Sequence, residues 1–221
     1  MNSTQKKNSL LTGFSLLLMA GLAGYSYGFV YQQLVIPGDE VQTVQNIQNS
    51  LDQFHYGIAG WVGILLLDVI VAIGFFQIFK AQNIKLSLSS AILRIAYCIF
   101  LVFGINELKH AAQAVSELFS GGDVLGFLAG FEKYWSQGLI VFGLHLIGIG
   151  FLSWKSAFIP KILAGLVTFA GLCYFIIHGG KALNPSWDSM LTQAETYLAL
   201  PMGLGEIAMA IWLIVAAFKS K

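Results

Sequence analysis

Hydrophobic positions along this chain gather into six long runs, at about 10–31, 55–79, 89–108, 135–153, 160–180 and 199–218. Each run is close to the roughly 20 apolar residues that cross about 30 Å of hydrocarbon, and few ionisable residues interrupt any of them. The pattern predicts an all-α polytopic integral membrane protein, a six-transmembrane-helix bundle forming a single domain over residues 1–221. Lys6 and Lys7 precede the first run as they would a signal peptide. That run continues through Phe29, Val30 and Tyr31, too far for a signal peptide's apolar region, which predicts a retained anchor.

The polar stretches between the runs predict long outer loops, about 32–54, 109–134 and 181–198, and short inner ones near 80–87 and 154–159. In the first outer loop Pro37, Gly38 and Asp39 form turns, and Val41 to Phe54 suits a short interfacial helix. In the second, Gly121, Gly122 and Asp123 predict a turn, and Val124 to Phe131 a second surface-lying piece.

Composition agrees: the chain is 57% hydrophobic and 10% charged, whereas a soluble domain carries about 25% charged residues. Charge placement predicts orientation, because lysine and arginine concentrate in short cytoplasmic loops. With the N-terminus inside, Lys6, Lys7, Lys80, Lys85, Lys155, Lys161, Lys219 and Lys221 lie on the cytoplasmic side, against Lys109, Lys133 and Lys181 outside. Every acidic residue except Asp68 and Glu206 falls at or beyond the outer ends of the runs. A multi-pass protein of the inner (cytoplasmic) membrane, both termini cytoplasmic, is therefore expected.

Small residues recur where helices can approach closely. Ala20, Gly24 and Gly28 are spaced by four on the first run, and Gly57, Gly60 and Gly63 by three on the second. Such stripes suit packing within the bundle or against a second copy of the chain. Cys98 and Cys173 lie inside runs and read as small packing residues.

Four ionisable residues fall inside the membrane: Asp68, Arg94, His145 and Glu206, each on a different helix. At 1.5 Å per residue they lie roughly 10–18 Å from the inner ends, close enough in depth to form one buried polar cluster. The plain reading is an Asp68–Arg94 ion pair with His145 and Glu206 hydrogen-bonding between helices. The functional reading is a water-accessible cavity where a carboxylate binds a small solute or cation and changes protonation as it passes. A second group, His55, Glu107, His110 and His178, sits near the outer ends and is a weak metal-site candidate, with no HExxH and no paired-cysteine motif beside it. No cofactor is expected. Gly24-Tyr25-Ser26-Tyr27-Gly28 matches the nucleophile-elbow pattern but lies inside an apolar helix, where that pattern has no strand-to-helix turn. No basic patch suits nucleic acid, and the lipid bilayer is the expected partner.

Leu34-Val35-Ile36-Pro37-Gly38-Asp39, Phe142-Gly143-Leu144-His145-Leu146, Ser156 to Pro160 followed by Ile162-Leu163-Ala164-Gly165, and Gly205-Glu206 leading to Trp212-Leu213 resemble the bacterial multi-pass family called domain of unknown function 4386. The resemblance runs from about Leu11 to Phe218. It implies positions matching Asp68, Arg94 and Asn106, which brings Asn106 into the site candidates. It also implies an arginine where this chain has His55, and gives Glu107 and His110 no counterpart. Since the family implies no activity, a transporter or solute-binding protein built on the midplane cluster stands beside an intramembrane, possibly metal-dependent enzyme and a non-catalytic sensor or partner-binding protein.

Overall fold

The computed structural model describes residues 2–116 and 123–219, so the expected turn at Gly121 and Gly122, together with Glu117 and Lys221, lies outside the described residues. Among the described residues the chain is all-helical. Six helices are long and apolar enough to cross a membrane: α1 (Ser3–Leu34), α3 (Leu51–Phe79), α4 (Ile84–Ser116), α5 (Val124–Lys155), α6 (Lys161–Leu183) and α7 (Asp188–Lys219, following a short turn at Pro185–Trp187). The short α2 (Glu40–Asn49) lies between the first two.

Local chemistry sets the starts. Side chains of Asn2, Asp39, Asn83 and Asp123 accept hydrogen bonds from the backbone amides of Gln5, Gln42, Leu86 and Gly126 respectively, each satisfying one open donor of a first turn. Gly38, at φ 80°, makes the bend that α2 requires. Helix α2 takes up the first part of the short helix expected over 41–54, whereas 51–54 form the first turn of α3; α2 buries Thr43 and Ile47.

The neighbours of each helix run α1, α3, α4, α5, α6, α7 and back to α1, so the six close into a ring. The start of α1 and the end of α7 share one end of the bundle, here called the terminal end; the opposite end is distal. Exposed Leu88, Ile92, Ile95, Ile99 and Val102 make an apolar stripe on the outside of α4, while Ser87, Ser90 and Arg94 on the other face are buried. Polar inside and apolar outside is the arrangement that lipid as solvent favours.

Two expectations are corrected at the distal end. Residues 124–131 are the first turns of α5 rather than a separate surface piece, because Val124, Leu128 and Phe131 bury against the bundle in phase with the rest of that helix. Likewise α4 runs to Ser116 and α7 begins at Asp188, so the loops expected at 109–134 and 181–198 are largely helix. Ala111, Ala112 and Val115 are buried, which rewards continuing α4 past the end of its apolar run. At 33 residues α4 is about 50 Å long, well over the 30 Å of hydrocarbon.

Candidate functional site

Arg94, on the inner face of α4, is fully buried and organises the centre of the ring. Its Nε donates to Asp68 Oδ1 of α3 at 2.8 Å, and an Nη lies 2.6 Å from the same oxygen. The other Nη faces His145 Nε2 of α5 at 3.1 Å, and the guanidinium lies 5.1 Å from the Phe142 ring centroid. The His145 tautomer follows from its partners: Nδ1 is 2.8 Å from the Ser90 carbonyl, which can only accept, so Nδ1 carries the proton and Nε2 receives from Arg94. Asp68, Arg94 and His145 thus meet as one hydrogen-bonded unit. Among the described residues Asp68 Oδ2 has no hydrogen-bond partner, although the residue is fully buried.

Glu206 of α7 makes no hydrogen bond to this trio; it joins them through a shared space. A cavity of about 470 Å³ runs through the distal half of the ring, and all six spanning helices line it. That is within the range of about 300–1,000 Å³ typical of ligand pockets. Asp68 and Glu206 are its acidic groups, and Tyr27, Trp61, Trp135 and Phe142 contribute aromatic walls. Glu206 is enclosed by protein but keeps surface open to the cavity. Below Glu206 the ring closes: a void of about 10 Å³ among Leu16, Phe75, Leu146, Ile149, Val167 and Met209 has room for about one water.

The seam between α1 and α7 is tight at the terminal end and open at the distal end. A Cβ on Gly13 would lie 2.8 Å from the Ala210 carbonyl, whereas one on Gly24 or Gly203 would meet nothing within 4 Å. This corrects the α1 stripe: Gly24 and Gly28 are not a packing face within the chain, and Ala20 and Gly24 line the cavity instead. The α3 stripe does pack, with Gly57, Gly60 and Gly63 receiving Val30, Ser26 and Leu22 of α1. Both helices at the open seam are irregular. From Gly24 to Tyr31 α1 winds as a π-helix, with the Gln32 amide bonding Tyr27 O, and Pro201 inside α7 removes one backbone donor.

Residues 11–217 match the family described as Domain of unknown function (DUF4386). The chain belongs to this family. It is also similar to an uncharacterized protein of Archaeoglobus fulgidus, 29% identical over 168 residues, which cover 74% of this chain and 85% of that one. No solved structure matches.

Membership of the family brought Asn106 into the cluster, but the structure does not place it there. Asn106 is exposed, twelve residues from Arg94 along α4, and its amide donates to His110 Nε2 at 2.8 Å. The outer candidates do not assemble either. His110 stacks on Phe127, Glu107 lies against Gly130, and His55 is exposed. His178 is buried near Ser136 and 3.6 Å from Glu195, which in turn pairs with Lys181 at 2.7 Å. Among the described residues no three His, Cys, Asp or Glu side chains gather in a metal-binding group. Ser26, in the nucleophile-elbow match, is packed beside Gly60 with its hydroxyl unbonded. Sequence reasoning missed the aromatic lining, because Trp61 and Trp135 look like any apolar positions of a spanning helix until the ring is closed.

Proposed function

We propose that this chain is a solute-binding membrane protein whose ligand occupies the ring cavity above Asp68 and Glu206. The observation that carries the reading is the cavity itself: it reaches two carboxyl groups, of which Asp68 has an oxygen with no hydrogen-bond partner among the described residues and Glu206 stands outside the Arg94 network. A purely structural ion pair needs no such space beside it. A transport role is favoured over a static one by the π-helical segment of α1 and by Pro201 of α7, which weaken the two helices flanking the open seam. Closing that seam while loosening the terminal one would alternate access to the site. The orientation that fits the lysine distribution puts the terminal end in the cytoplasm; reporters fused after Lys85 and after Lys161 then behave as cytoplasmic and one near Asp123 as external.

The test is a thermal-shift comparison between wild type and Gly24→Leu, which adds a side chain at the cavity wall where there is space for it. A broad panel of small cations, anions and neutral amphiphiles should contain compounds that stabilise wild type and not the variant. A panel that never distinguishes the two proteins sinks the reading.

A further inference from the structure

We infer that the occupant of this cavity is a small organic cation carrying an apolar body, recognised by Glu206, Asp68 Oδ2 and an aromatic corner; this rests on the solute-binding reading above. The charge balance comes first. One guanidinium faces two carboxyl groups, and Arg94 is already committed: Nε and Nη2 to Asp68 Oδ1, Nη1 to His145, and Nη2 also toward Met19 Sδ. His145, with Nδ1 protonated and Nε2 accepting, brings no positive charge. The cavity floor therefore has an excess carboxyl group, Glu206, and an unpartnered buried acceptor, Asp68 Oδ2. A positive ligand is attracted by this excess of acidic groups and an anion is repelled, while a neutral donor gains a hydrogen bond without the charge attraction.

The walls separate organic from inorganic cations. Calcium or magnesium takes six or more oxygen ligands, and besides the two carboxyl groups the lining is mainly apolar and aromatic. Trp61 and Trp135 meet at 69° with centroids 5.2 Å apart, and Tyr27 tilts 59° against Trp135 at 4.6 Å. Trp135 is thus inclined to both other rings, with Phe131 and Tyr31 stacked on Trp135 and Tyr27, and the three rings that line the cavity form an aromatic corner of the kind that receives an alkylammonium group. Gly24 and Gly203 line the cavity with open space beside each, which leaves room for the apolar body of such a ligand.

The test uses the full chain in lipid nanodiscs, with benzyltrimethylammonium as probe, neopentylbenzene as its uncharged isostere and benzenesulfonate as the anion, followed by tryptophan fluorescence. Saturable binding of the cation alone, weakened about tenfold or more in Glu206→Gln at unchanged melting temperature, is the expected result. Trp135→Leu should lower the preference for the cation over the isostere several-fold, which keeps the test decisive if Glu206→Gln fails to fold. Equal binding of cation and isostere overturns the cation assignment and leaves the solute site standing. Binding of none of the three overturns the assignment as well; the solute reading then falls only if the wider panel is also silent.

Discussion

The two ends of the α1–α7 seam are built from the same residue type and do opposite things. At the terminal end, Gly13 lets the helices close until backbone meets side chain and backbone. At the distal end, Gly24 and Gly203 face open space and line the cavity. A small residue permits close approach but does not cause it. What decides is whether the opposing helix has a complementary surface at that depth, as Ala210 and Ile214 provide for Gly13.

The sharpest test lies at the level where the closed half gives way to the open one. Asp68→Leu or Arg94→Leu alone strands a buried charge and should cost about 3–5 kcal/mol, read as a large fall in melting temperature of the purified protein. The double replacement should recover much of that loss, short of a full rescue because His145 Nε2 then loses its donor. Additive losses would mean that Asp68 and Arg94 do not interact. Next in size is Gly13→Leu, an overpacking change expected to cost about 1–3 kcal/mol. The paired change Gly24→Leu, on the same helix, should stay within about 0.5 kcal/mol of wild type; equal costs for the two would erase the difference between the ends of the seam. The smallest effect belongs to the distal rim. His110→Ala should be within about 0.5 kcal/mol of wild type, and EDTA should leave the melting curve unmoved. About one zinc per chain, lost in His110→Ala, would overturn that expectation.

Six spans were legible in the sequence because lipid-facing positions such as Ile92 and Ile99 need only be apolar, and composition registers that directly. Asp68, Arg94 and His145 could be brought to one depth by counting residues, since each lies on an unbroken helix with a rise of 1.5 Å per residue. Glu206 came to the same depth but not to the same hydrogen-bond network, because depth says nothing about how far apart two helices stand. The distal extensions were missed for a related reason: Leu128 and Ala112 are buried among neighbouring helices beyond the apolar runs, where the amphipathic pattern is short and easily read as loop. The Gly143–Gly171 crossing was also invisible. A Cβ on either would lie 2.7 Å from the other's carbonyl oxygen, and two isolated glycines on separate helices carry no spacing signal.

The closure of the ring has a mechanical consequence. Five of its six joints are between spanning helices consecutive along the chain, several of them tied by only a few residues, such as 80–83 between α3 and α4 and 156–160 between α5 and α6. Those ties keep each pair at high effective concentration, so a separated pair soon meets again. The α1–α7 joint has no such tether, because it brings together the first and last helices of the chain. A flat sheet of helices rolled into a tube has one edge-to-edge join, and that join can part without stretching a loop. A peptide linker from Lys219 back to Ser3 would supply the missing tie and should slow any opening there more than the same constraint placed at another joint.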